Sequence, residues 1–249
     1  MYGIDLESRP YSHGGMYILR HQSTYAMLVA HQVGVHGNGP HKHNDWLSIE
    51  ICSGNQPIFI DPGTGCYTGN IDLRNKYRNT AAHNTVVIDN QDQIPLDGSI
   101  FSLSPSSGKT ELIEWYNDDD ETRVSAKHTG YMRFQDPVVH YREIRLTKKE
   151  HKVTIKDWFT GNGIHLLEWY FHLHPSITAS KKDTDVLLTN REGHVYQFDF
   201  SNQLNQPEKI GGLCSYKYNT HINNHILKFK YNGTISAENN YIFNISLNK

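Results

Sequence analysis

The sequence predicts an all-β protein, a large antiparallel β-sandwich of two or more packed sheets with negligible helix. Three observations predict it. Apolar and polar residues alternate along most of the 249-residue chain, the period of a strand with one buried face. Turn-forming residues interrupt that alternation at short, regular intervals. Helical periodicity is confined to residues 71–78, where a short turn at most is expected.

In chain order, the first predicted strand covers residues 26–33. The next covers 47–52, with Leu47, Ile49 and Ile51 on one face, and 57–61 follows after a turn at Gly54-Asn55-Gln56. Further strands are expected over 84–89, 109–115, 138–146, 152–158, 165–173 and 195–200. Near the end, Asn232-Gly233 separates two alternating runs, 226–231 and 234–236, and reads as a hairpin, since both residues tolerate positive φ. A last strand covers 241–246. Residues 1–24 read as a lead-in segment and 25–249 as one sandwich domain. There is no internal repeat. The acidic run 117–121 reads as a solvated turn, because it lacks the glycine and ligand spacing of a calcium loop.

Composition excludes several classes. A net charge of −2 argues against nucleic acid as a partner. The three cysteines, Cys52, Cys66 and Cys214, make no disulfide framework and no CxxC knuckle. Cys66 reads as a small packed side chain. No apolar run is long enough to span a bilayer, and the N-terminus lacks the basic start and apolar centre of a signal peptide. Two glycosylation sequons, at Asn232 and Asn244, are too short a pattern to weigh.

The densest chemistry lies in His41-Lys42-His43-Asn44-Asp45, which follows a Gly/Pro-rich turn. In an extended segment residues i and i+2 share a face, about 7 Å apart. One imidazole can then hold a metal while the other stays free for proton chemistry. Two more segments join this reading. Asp61 ends an apolar strand just before Pro62-Gly63-Thr64-Gly65, and His83 stands just before the strand at 84–89. Sequential strands usually neighbour one another, so His43, Asp61 and His83 are expected at one place. Two imidazoles and a carboxylate suit zinc with water in the fourth position, and also iron or manganese. The competing reading makes Asp61 a turn cap and the histidines partners of backbone groups. Arg74, Lys76 and Arg78 form a basic cluster suited to carboxylate or sulfate, or to pairing with Asp72. Tyr67 is placed to stack on a sugar ring. His36, His140, His172 and His174 read as structural.

Taken together, His41-Lys42-His43-Asn44-Asp45, Ile60-Asp61-Pro62-Gly63-Thr64 and Arg78-Asn79-Thr80-Ala81-Ala82-His83-Asn84-Thr85 resemble the heparinase II/III family of polysaccharide lyases. Val139-His140-Tyr141-Arg142 and Phe171-His172-Leu173-His174-Pro175 extend the resemblance, which runs from about residue 15 to about residue 180. It implies an N-terminal α/α-toroid followed by a β-sandwich, of which this chain matches only the sandwich. It further implies a divalent metal, zinc above others, on His43, Asp61 and His83. His41 would then enter the cleft as a catalytic residue; Tyr67, Arg74 and Arg78 are placed on the substrate side by their own chemistry and position, not by the resemblance. The implied reaction is β-elimination in an acidic, uronate-containing polysaccharide, with the family's tyrosine supplied by the toroid. His41 fits the base or the carboxylate-stabilising role, because imidazole titrates near neutral pH. The metal is expected to shape the site rather than act as a Lewis acid. Family members are often periplasmic or secreted.

Two other classes compete. The sandwich could be a non-catalytic module that binds carbohydrate or organises a partner domain, with a metal for stability. A cupin would need a glutamate a few residues after His-x-His, and Glu50 is not at that spacing.

Overall fold

A computed structural model describes residues 6–32, 39, 41–96 and 108–247. His36 and the Gly37-Asn38 and Pro40 lead-in to the histidine pair lie outside the described residues. The described chain is almost wholly β. The first sheet contains β1 (Arg9–Tyr11), β2 (Met16–His21), β3 (Thr24–Val29), β4 (Ile49–Ser53) and β5 (Gln56–Phe59), in sequence order. A short helix α1 (Ile71–Arg78) and β6 (Val86–Ile88) follow. Then come β7 (Thr110–Asn117), β8 (Glu121–His128), β9 (Val138–Thr147), β10 (Lys152–Gly161), β11 (Ile164–His172), β12 (Thr178–Lys182), β13 (Asp185–Thr189) and β14 (Val195–Phe200). The chain continues through β15 (Glu208–Cys214), β16 (Ile222–Thr234) and β17 (Asn240–Ser246). An eight-stranded sheet runs β12-β13-β14-β17-β10-β9-β8-β7, and a four-stranded sheet runs β15-β16-β11-β6. All of the strand pairs within these sheets are antiparallel.

The sheets enclose one large apolar core. Leu19, Ala26, Leu28, Ile49 and Ile51 of the first sheet share it with Val124, Ala126, Ile144 and Leu146 of the second. At its other end Phe171, Phe198, Phe229 and Phe243 meet ring to ring; Phe171 and Phe243 lie 4.9 Å apart, mostly edge to face. That geometry is the one aromatic quadrupoles favour. Strand β9 shows how alternation produces this arrangement. Every second residue from Val138 to Leu146 is buried, so His140 and Arg142 point into the core with the apolar residues.

Several expectations need correction. Asn232-Gly233 makes no hairpin: both residues lie inside β16, where Asn232 pairs with Leu166 and Gly233 with His165. β11 offers those residues a ladder along its whole length, from Ile164 to His172, which outcompetes a local turn. Residues 71–78 are a two-turn helix rather than a turn, because Asn70 caps it by accepting a hydrogen bond from the Leu73 N–H at 2.9 Å. Residues 9–11 and 16–21, read as lead-in, are strands of the first sheet, and Tyr17 and Leu19 reach the core. The strand expected from Leu47 begins at Ile49, since Leu47 takes φ 58°. Leu47 is still fully buried. The 117–121 turn behaves as expected, with Asp118 Oδ1 accepting from the Asp120 and Glu121 N–H groups.

Candidate metal centre and cleft

The site is built where four segments meet: the loop 41–48, the turn after β5, the segment 79–85 and the start of β6. Reciprocal bonds fix the first. Asn44 Nδ2 donates to the Ile94 carbonyl and Asn44 Oδ1 accepts from the Ile94 N–H, both at 3.0 Å. Gln93 treats Trp46 in the same way, at 2.9 and 2.8 Å. Asn84, fully buried, ties the other segments together. Its Nδ2 donates to the Ile49 and Ile60 carbonyls and its Oδ1 accepts from the His172 N–H. Beneath them, Arg142 Nη1 donates to the Leu47 and Asn84 carbonyls, at 2.6 Å each.

This scaffold brings together the three predicted ligand residues. His83 Nδ1 meets Asp61 Oδ2 at 2.7 Å. The His43 and His83 rings lie 5.2 Å apart, tilted by 41°. Asp61 Oδ1 also accepts the Gly63 N–H at 2.8 Å, so Asp61 caps its turn, as the competing reading held, while still facing His83. Gly63 is required there: its φ is +79°, and an added Cβ would stand 2.2 Å from the Ser215 carbonyl oxygen.

The electrostatics separate the two imidazoles. Burial, reinforced by the nearby His83, pushes the His43 pKa down to about 4. Burial acts against the charge on His83 too, but the attraction and hydrogen bond of Asp61 outweigh it, and the His83 pKa is raised. The same pair holds the Asp61 carboxyl below its usual value although burial opposes it. Asp45 forms a separate ion pair with His31 Nε2 at 2.8 Å.

His41 and His43 diverge. The segment is irregular rather than extended, so the shared strand face expected for them is absent. His43 turns in toward His83, whereas His41 is exposed and stands edge-on to Tyr67, with ring centroids 5.4 Å apart. Arg74 and Arg78 are fully buried. Arg74 lies over the Tyr67 ring at 5.4 Å and Arg78 Nε donates to the Lys42 carbonyl, so Arg74 supports Tyr67 and Arg78 the loop that carries His41 and His43. Lys76 is exposed.

Sequence reasoning missed three contributors. Glu50, on β4, is pushed up to about 7 by burial and then by the Asp61 carboxylate. Tyr218 stacks on Tyr67, with centroids 6.2 Å apart and planes 12° from parallel. Tyr77, whose hydroxyl meets His221 Nδ1 at 2.8 Å, anchors the 215–221 segment to α1. The alternation of Tyr216-Lys217-Tyr218 in a turn was a legible signal, since exposed aromatics beside a cation suit ligand contact.

Among the described residues, no set of three or more His, Cys, Asp or Glu side chains has the arrangement of a metal cage. Their chemistry nevertheless fits one. His83 Nδ1 and Asp61 Oδ2 face each other at 2.7 Å beside the His43 ring, so two imidazoles and one carboxylate converge as a donor set that a cation could take in place of that hydrogen bond.

The fold and this cluster define a class: an antiparallel sandwich domain carrying a His/Asp cluster on its rim. The chain belongs to the heparinase II/III family, since the model "Heparinase II/III-like, C-terminal" matches residues 4–240. Among solved structures, the heparan sulfate lyase HepC from Pedobacter heparinus is similar, with TM-score 0.77 and 19% identity over 97% of this chain. A heparinase III is also similar, with TM-score 0.74 and 16% identity over 96% of this chain. In both cases the chain spans 36% of the longer protein. No curated protein sequence matches the chain. Among the described residues, no helix is long and apolar enough to cross a membrane.

Proposed function

We propose that this sandwich is the C-terminal part of a polysaccharide lyase that cleaves uronate-containing glycans by β-elimination, completed by an α/α-toroid that closes the cleft over His41. The carrying observation is the division of labour between two neighbouring histidines. His43 is half-buried, with its ring against that of His83, while His41 projects from the same loop into solvent beside Tyr67.

In this reading His43, Asp61 and His83 would hold a divalent cation, zinc suiting the set best. Bound there, it would supply positive charge and cross-link three chain segments. His41 faces the sugar. Elimination removes the C5 proton to a base, forms the C4–C5 double bond and breaks the C4–O bond, and the departing oxygen takes a proton from an acid. Charge that develops on the uronate carboxylate needs a donor close by. His41 supplies the base or that donor, and a toroid tyrosine completes the pair. Arg74 and Arg78, buried behind the loop, add a positive field rather than an open anchor.

The test is formation of unsaturated product, read by ultraviolet absorbance, on heparan sulfate and other uronate polymers. The sandwich is assayed both alone and fused to a family toroid. Product from the fused protein, reduced by about 10²–10⁴-fold in His41→Ala, is expected. A fused protein that binds these polymers without forming product would leave a non-catalytic carbohydrate-binding module.

A further inference from the structure

The segment 215–221 was not part of the predicted site, yet it is fastened to the turn that carries Asp61. The Ser215 N–H donates to the Pro62 carbonyl at 2.8 Å, and the Asn219 N–H donates to the Gly65 carbonyl at 2.7 Å. Gly63 and Ser215 form a parallel bridge. Internally, the Lys217 carbonyl accepts from Ser215 Oγ and from the Thr220 N–H, and Asn219 takes φ 54° to close the turn. The tip therefore has a fixed shape. It presents Tyr216, Lys217 and Tyr218 to solvent, with Tyr218 64% exposed. The inner face of Tyr218 lies on Tyr67, which in turn meets His41. The three rings form a continuous row leading away from His41.

We infer that this tip is a second sugar subsite, binding the acidic residue of a glycan chain next to the one placed at His41. The open face of Tyr218 takes the C–H face of the ring, and Lys217 takes its carboxylate or sulfate. An aromatic face and a cation on adjacent residues match the two faces of an acidic sugar, which is apolar on its C–H side and anionic at its edge. Because the tip is already ordered by its own bonds and by the Asp61 turn, binding costs little loop entropy. The inference rests on the uronate-glycan reading above, and it names a residue pair and a subsite that the reading does not need.

The experiment measures binding of a size series of heparan sulfate oligosaccharides to the full chain by titration calorimetry, for wild type, Tyr218→Ala, Tyr218→Phe and Lys217→Ala. Tyr218→Ala should weaken the longer oligosaccharides by about tenfold while leaving the shortest unchanged, and Tyr218→Phe should retain binding. Lys217→Ala should weaken binding most at low salt. Far-ultraviolet circular dichroism checks the fold of each variant, and Lys217→Ala carries the test if Tyr218→Ala is misfolded. Wild-type affinity that both variants preserve at every length overturns the subsite but leaves the lyase reading intact. Absence of wild-type binding to these and to other uronate oligosaccharides overturns both.

Discussion

Among the histidine–aspartate pairings of the described residues, the one sealed in the core at Asp157 and the one on the rim at Asp61 differ in what is left over. In the core, the Gly130 N–H donates to His128 Nδ1, His128 Nε2 faces His140 Nδ1 at 3.1 Å, and His140 Nε2 faces Asp157 Oδ1 at 2.7 Å. The order requires each ring to be neutral with its proton on Nε2. Arg142 grips both Asp157 oxygens at 2.8 Å, and Trp169 Nε1 donates to Oδ2 at 3.0 Å. All of these polar groups have partners, as stable buried networks require. On the rim, His83 has one nitrogen on Asp61 and the other buried with nothing to bond. The same residue types thus make a fully paired strut in one place and leave an imidazole nitrogen unpaired in the other, as also happens at His172 Nδ1.

The largest expected effect is in the core. Arg142→Met leaves Asp157 charged and buried without its main partner and frees the Leu47 and Asn84 carbonyls. It should lower unfolding stability by about 3–5 kcal/mol, measured by urea denaturation. A loss below about 1 kcal/mol would mean that the core network is dispensable.

On the rim the expected loss is of metal first. His83→Ala should abolish stoichiometric zinc uptake, measured by atomic emission after dialysis. It should also remove the stabilisation that zinc gives the wild type, about 4 kcal/mol at a thousandfold excess over Kd. Equal zinc content in wild type and variant would place the cation elsewhere. Arg142→Met, if folded at low temperature, should bind zinc more weakly through displaced backbone, whereas His83→Ala should leave the core intact.

The core cluster and His83 respond oppositely to pH, whereas the rim's His43, held near 4 by burial, shares the core's sign; the contrast is best seen with a chelator present. Burial holds the His128 and His140 pKa values below normal, and the unfolded chain then takes up protons first. Stability should fall as pH drops below about 6.5. His172, held near 4 by burial, adds to the same slope. Asp157, whose pKa is depressed by Arg142 and His140 against the pull of burial, contributes above about pH 4 and is lost below it. His83 has the opposite sign: its raised pKa gives stability below about pH 6.5 that disappears as pH rises through the folded value. His128→Gln should flatten the acid limb, and His83→Gln the limb near and above neutrality. Identical slopes in both variants would erase the distinction between the clusters.

The smallest effect tests the bracing of the rim. Asn70→Ala removes the cap of α1, whose Arg74 and Arg78 support Tyr67 and the loop at Lys42, and should cost about 1 kcal/mol. Hydrogen exchange should rise in α1 and the 61–67 turn while β9 and β10 stay protected. Uniform acceleration through the domain would show that the rim is not a separate unit.

Much of the fold was legible because a strand's period is local. Residues 138–146 alternate on their own and became β9 almost to the residue. His140 read as structural for the same reason, and it is. The strands missed, among them β8, β12, β13 and β15, carry weaker alternation or an exposed face; four of the five residues of β12 are exposed. The three residues His43, Asp61 and His83 could be named from their types and their positions at strand ends. That Arg74 and Arg78 would be buried could not, since a two-turn helix with two arginines reads as exposed until something covers it.

The alternation and the His/Asp residue types at the strand ends were thus fixed by the chain itself, because each depends only on near neighbours or on side-chain chemistry. Tertiary structure alone decided that Asn232-Gly233 stays in a strand, that Tyr218 reaches Tyr67 from 151 positions away, and that His83 keeps one nitrogen bare. Each of those outcomes depends on which distant backbone arrives to bond or to leave a gap, and no local pattern encodes that.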